Sequence, residues 1–136
     1  MATTLDVEIF KVMNAGNFWA HPIASPGSEF QDFMGKLNDH FRQSTTSQAV
    51  TQILKGQMCV IRRTSDSCWY RARVQNVLQT LSGPQASVFL VDLAESTLVP
   101  CCWIREVPAV FQNIPVQAME CFLIGPQTTW TCNILL

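Results

Sequence analysis

The sequence is short of charge. Lysine, arginine, aspartate and glutamate make up 14% of its 136 residues, nine basic against ten acidic, for a net charge of −1. That balance gives no basic footprint for a polynucleotide backbone, so direct nucleic-acid binding is the weaker expectation. No uncharged apolar run approaches the roughly 18 residues of a membrane helix, so no membrane partner is expected. The opening MATTLDVEIF has no basic segment followed by an apolar core, and no secretory signal is expected in it. Histidine is scarce, His21 and His40 only, and Cys59, Cys68, Cys101, Cys102, Cys121 and Cys132 form no C-x-x-C. This spacing argues against a zinc framework. No motif pairs a cysteine with a histidine and an orienting acid, so no catalytic residue, metal or cofactor is assigned and an enzyme is not expected. The thiols are expected to be reduced in a cytoplasmic protein, mostly buried as small apolar groups.

Apolar residues, at 48%, are plentiful. They suffice for one domain that buries roughly two thirds of its unfolded surface, not for two full cores. Such low charge also suggests apolar surface meant to be covered by a partner or by missing chain. Residues 5–23, LDVEIFKVMNAGNFWAHPI, are two β-like runs around Asn14-Ala15-Gly16-Asn17. Glycine and asparagine tolerate positive φ, so a hairpin is expected there. Ser28 and Gln31 fit a capping box. Phe30, Phe33, Met34, Leu37 and Phe41 follow at offsets 0, 3, 4, 7 and 11, one face of an amphipathic helix. That stripe is expected to pack on the domain's own sheet rather than in a partner's groove. Residues 44–55 read as a linker with a short turn. After Gly56 come four β-like runs, QMCVIRR, CWYRARVQNVL, SVFLVDL and TLVPCCW, joined by TSDS, QTLSGPQA and AES. Short antiparallel strands at this spacing suggest a small barrel. VQAMECFLI is a final β-like run.

GQMCVIRRTSDSCWYRARV resembles the opening of a Tudor domain. VFLVDLAESTLVP resembles the family's V-x-F-V-D-Y-G-N-x-E-x-V segment, and IPVQAMECFLIG its L-P-x-Q-A-I-E-C-x-L-x-G. With the hairpin and helix in front, nearly the whole chain resembles an extended Tudor domain, a Tudor barrel inserted in a split staphylococcal-nuclease-like (OB) subdomain. The resemblance implies a mainly β fold with one long helix: a small antiparallel SH3-like barrel plus a partial nuclease-like subdomain. Residues 1–136 would be one module. Residues 5–43 would supply the leading hairpin and linker helix, 56–108 the barrel core, and 109–136 an incomplete return to the nuclease-like half.

The family implies a binding module of germline piRNA-pathway proteins, which takes arginine-containing tails of PIWI proteins into an aromatic cage. A methylated guanidinium is poorly hydrated and favours π faces. Tyr70 matches one cage aromatic. The aromatic before the first turn is replaced in the Arg63–Thr64 region, Leu90 and Leu93 stand at two further aromatic positions, Ala94 stands for a glycine and Glu95 for an asparagine. The resemblance therefore implies a peptide site around Tyr70, Leu90, Asp92, Leu93 and Glu95 with a degraded cage.

Asp92 interrupts an apolar run, which is costly unless the carboxylate is paired. Arg71 or Arg73 is the obvious partner, and the resemblance favours Arg71, as a scaffold ion pair tying the barrel to the flanking subdomain. A direct ligand contact and an exposed carboxylate remain the alternatives. Glu95 could take an unmethylated arginine bidentately, or be an ordinary solvated turn glutamate. Trp69, pointing opposite to Tyr70, is expected to pack against the flanking subdomain; Trp103 is left open.

The expected function is non-enzymatic binding of an Arg-rich peptide or PIWI tail, independent of methylation, in a cytoplasmic germ granule. The alternative is a docking or self-associating domain, a homodimer included, that binds no arginine. Single-stranded RNA binding near Arg62–Arg63 is the weakest reading.

Overall fold

The computed structural model describes residues 7–22, 29–43, 50, 52–124 and 129–134. The chain divides into two compact units, Met1–Phe33 with Pro115–Leu136, and Met34–Ile114. Residues 109–114 thus join the second unit, whereas the sequence placed them in the return segment.

The first unit holds an antiparallel sheet of β1 (Val7–Asn14), β2 (Asn17–Pro22), β7 (Met119–Ile124) and β8 (Thr129–Ile134), in the order β1-β2-β7-β8. The hairpin turns where expected, because the Gly16 N–H donates to Asn14 Oδ1 at 2.8 Å and Asn14 pairs with Asn17. Ala20, Met119 and Cys121 form its buried centre, with Val7 and Phe18 packed against them. His21 stacks between Phe10, 4.1 Å away, and Phe30, 3.8 Å away. A histidine so enclosed is core, not a ligand. Strand β8 lies where the sequence suggested no element. Cys121 is disulfide-bonded, a correction to the expectation of reduced thiols throughout. Cys59, Cys68, Cys101 and Cys102 are free.

The second unit is a meander of β3 (Met58–Arg62), β4 (Trp69–Thr80), β5 (Gly83–Leu90) and β6 (Glu95–Pro100). After β6 a 3₁₀ turn, Cys101–Trp103, swings the chain back, and Val60 and Arg105 exchange two backbone hydrogen bonds of 2.9 Å. That bridge lies on the side of β3 away from β4, so the last strand's continuation closes on the first and makes a small barrel. Cys59, Ile61, Ala72, Val74, Ala86, Val88 and Leu90 share the inner face and are buried, each large aliphatic contributing roughly 1.5–3 kcal/mol by leaving water. A bulge between Val74 and Asn76 bends the 12-residue β4, as a barrel corner requires.

Helix α1 (Glu29–Gln43) has the expected bounds; Ser28 of the capping box lies outside the described residues. In the second unit its Met34, Leu37 and Phe41 are buried, and Phe41 stacks on Trp69 with ring centroids 4.6 Å apart. Trp69 thus packs on the linker helix. Asn38 secures the contact: its Oδ1 accepts the Trp69 N–H at 2.7 Å, and its Nδ2 donates to the Trp69 carbonyl at 3.1 Å. A four-residue helix α2, Ala109–Gln112, completes the unit.

Two connections depart from the sequence reading. QTLSGPQA is not a loop, since β4 and β5 run through it and turn only at Leu81–Ser82. VFLVDL does not continue as a strand; β5 ends at Leu90 and residues 91–94 form a tight turn. Asp92 therefore sits in a turn, where its backbone is free of ladder geometry.

Candidate functional site

Besides an exposed Arg42–Asp39 pair on α1, the described residues of the second unit hold two arginine–carboxylate arrangements on the barrel, and they differ in kind. In the first, Arg71 on β4 donates from Nε to Asp92 Oδ2 at 2.9 Å and from Nη2 to Oδ1 at 2.8 Å. Arg71 Nη1 donates to the carbonyls of Phe111, at 3.2 Å, and Ile114, at 2.6 Å. The side chains are 3% and 0% exposed. The pair joins the β5–β6 turn, α2 and the residues just after it to β4, all within the barrel unit. Arg73 is not the partner. The turn presenting Asp92 holds Ala94 at φ 53, and the Ala94 N–H donates to the Leu90 carbonyl at 2.8 Å. A left-handed alanine costs about 1 kcal/mol, which is why a glycine suits this position.

The second arrangement starts from the β3–β4 connection. Arg63 N–H donates to the Cys68 carbonyl and Ser67 N–H to the Arg63 carbonyl, both at 2.8 Å, with Ser67 at φ 59. This tight turn brings Asp66 over β4, where its Oδ2 accepts the Tyr70 hydroxyl at 2.5 Å. The Arg63 guanidinium lies over the Tyr70 ring, 4.8 Å from its centroid. Its Nη1 donates to both Glu95 oxygens, at 3.0 and 3.1 Å, and its Nη2 to Asp66 Oδ2 at 2.6 Å and the Tyr70 hydroxyl at 3.3 Å. The hydrogen bond from Arg63 holds the Asp66 carboxyl well below the usual carboxylate range. Burial, then the bond to Asp66, pushes the Tyr70 hydroxyl up, and the bond to Asp66 raises Arg63 against the opposing effect of burial. The side chains are 21% (Arg63), 31% (Asp66) and 43% (Glu95) exposed.

The structure therefore separates the residues grouped from sequence. Tyr70 and Glu95 come together, joined by Arg63 and Asp66, which sequence reasoning did not place in the site. The only signal was that Arg63 stands near a missing aromatic. Leu90 and Asp92 are corrected: both are 0% exposed, Leu90 in the barrel core and Asp92 under Arg71, so neither can touch a peptide. Leu93 is half-buried in the turn. Glu95 opens β6 and is not a free turn carboxylate.

A recess of about 520 Å³ borders the same loop, lined by Phe41, Arg62, Arg63, Trp69, Trp103 and Arg105 among others. Trp103 is 44% exposed there. Among the described residues no group of three or more histidines, cysteines or acids could hold a metal, and no helix is long and apolar enough to cross a membrane. Burial pushes the Cys59 thiol up to about 12, so it is no nucleophile.

A family model described as "Tudor domain" matches residues 1–125. The chain is 26% identical over 127 residues to the "Tudor and KH domain-containing protein homolog" of Bombyx mori, covering 90% of this chain and 20% of that protein. It spans about a fifth of the length of the first curated relatives it matches. The extended Tudor domain of BmPAPI superposes with a TM-score of 0.78 at 24% identity, over 92% of this chain and 64% of that one. A single aspartate-to-alanine variant of the extended Tudor domain of Drosophila melanogaster Papi superposes with a TM-score of 0.76 at 20% identity, over 86% of this chain, in complexes with a methylated (58% of that chain) and an unmethylated (57%) Piwi N-terminal peptide. The fold is that of an extended Tudor domain.

Proposed function

The chain belongs to the Tudor domain family, and on that premise we propose that it is a non-enzymatic protein-interaction module of piRNA-pathway scaffolding that takes an arginine-containing peptide, such as a PIWI-protein N-terminal tail, without requiring arginine methylation. The observation that carries this reading is the chemistry around Tyr70. One aromatic face is flanked by two carboxylates, Asp66 and Glu95, and that set already holds a guanidinium. Carboxylates reward N–H donors, and methyl groups remove donors and block bidentate bonding. Leu90 and Leu93 stand where the family carries aromatics, which supports a reading without the full enclosure that favours methylated arginine. A perinuclear germ granule is the location that fits such a partner.

Titration of an unmethylated PIWI-tail peptide into the wild type, Tyr70→Leu and Glu95→Gln tests the reading, with circular dichroism to verify folding. Each substitution should weaken binding severalfold, the lost peptide contact being partly offset by the weaker hold of the site on Arg63. Unchanged affinity in both folded variants would sink it.

One observation favours self-association as a second reading. Strand β1 is at the edge of its sheet and carries Ile9, Val12 and Met13 with half or more of their surface exposed, an open template for strand pairing. Sedimentation of a clean monomer at high concentration would remove it.

A further inference from the structure

We propose that Arg63 is a built-in guest of the Tyr70 site: its guanidinium occupies the place of a peptide arginine and has to leave before one can enter. This rests on the reading of that site as an arginine site and adds the residue that sets its affinity.

Three observations support it. First, Arg63 uses every recognition element present. It covers the Tyr70 ring, takes both Glu95 oxygens through Nη1 and takes Asp66 through Nη2. A second guanidinium would find the ring covered, the carboxylate oxygens engaged and a like charge facing it. Second, the internal guest fits imperfectly. Arg63 Nε is buried and has no hydrogen-bond partner among the described residues, and an unmet donor weakens the hold on the whole group. Asp66 and Glu95 are part-exposed, so these ion pairs are of the solvent-screened, low-energy kind. Third, Asp66 and Glu95 both face Arg63, so its departure frees two carboxylates to take another cation. Arg63 lies one residue beyond the end of β3, in a loop whose backbone hydrogen bonds do not involve its side chain. The side chain can therefore rotate away without disturbing the barrel. Where the competent state is a minor one, the apparent affinity falls by its population; a site open about a tenth of the time binds about tenfold more weakly than one always open.

Tyr70 is the chain's one tyrosine, so its ring signals in NMR report this site alone. Wild type and Arg63→Gln are titrated with N-acetylarginine amide and with the unmethylated PIWI-tail peptide. Arg63→Gln should bind both about tenfold more tightly than wild type, with shifts of the Tyr70 ring. Arg63→Lys, which keeps a cation but loses the fork that bridges Asp66 and Glu95, should show a smaller gain and serves if Arg63→Gln does not fold. Equal or weaker binding by the folded variants, or no shift of Tyr70 in them, overturns the proposal. If wild type binds peptide with Tyr70 shifts and the variants gain nothing, the built-in guest is refuted while the arginine-site reading survives. The built-in guest is judged on N-acetylarginine amide: if the variants take it more tightly with Tyr70 shifts but the peptide never perturbs Tyr70, the built-in guest stands and the peptide reading fails.

Discussion

Arg71–Asp92 and Arg63–Asp66–Glu95 are both arginine–carboxylate clusters on one barrel, yet they serve opposite ends. Arg71 and Asp92 are sealed from water and share their hydrogen bonds with backbone carbonyls at Phe111 and Ile114. Four N–H groups of Arg71 go to structural partners, and the buried Asp92 carboxylate is engaged by Arg71 through both oxygens. Arg63, Asp66 and Glu95 are part-exposed, and the arginine leaves its Nε unmet. The first cluster ties a turn and a segment to a strand. The second, on the proposal made above, is a recognition set filled from within. Burial, not composition, separates a pin from a site.

The largest effect should come from breaking the buried pair one-sidedly. Asp92→Ala leaves Arg71 charged in the interior and should cost about 3–5 kcal/mol, read as a strong fall in the denaturation midpoint. The double variant Arg71→Met/Asp92→Leu should recover most of that loss, since the desolvation cost disappears with the charges. Arg63→Gln should cost far less, about 1 kcal/mol or under, because its ion pairs are part-exposed. If Arg63→Gln proved as damaging as Asp92→Ala, the contrast would collapse.

A smaller difference should appear in acid. Asp66 has a folded pKa depressed below its unfolded value. Between the two values the unfolded chain binds more protons, so stability rises with pH there. The contribution is complete above about pH 5 and is lost as pH falls through 4 and below. Denaturant midpoints from pH 2 to 7 should show this acid limb in the wild type and a shallower one in Arg63→Gln. Smallest of all, Ala94→Gly should stabilise by a few tenths to about 1 kcal/mol by relieving φ 53. It leaves both clusters in place.

The legible parts of the sequence were local. Asn14–Asn17 carries its own turn chemistry and the phenylalanine spacing of α1 its own period, so both elements emerged with close to their observed bounds. The turn at 91–94 was hidden because Val91 and Leu93 extend an apolar run past the strand's end. The β4–β5 hairpin is hidden in the sequence because Gln79, Thr80 and Gly83 to Gln85 are polar or turn-like residues although they lie in strands. The Arg71–Asp92 link could be suggested, since a carboxylate among apolar residues calls for a cation. The Arg63–Glu95 link spans 32 residues of chain, and nothing in either neighbourhood announces that a guanidinium lies over Tyr70. Asp66 was equally silent, for only the Ser67 turn brings it there.

Calorimetry of one PIWI-tail peptide in unmethylated and symmetrically dimethylated forms, against wild type and Arg63→Gln, addresses the central claim most directly. The expected result is affinity for the dimethylated peptide no better than for the unmethylated one in either protein. Dimethylated peptide binding tenfold more tightly than its unmethylated counterpart would contradict it.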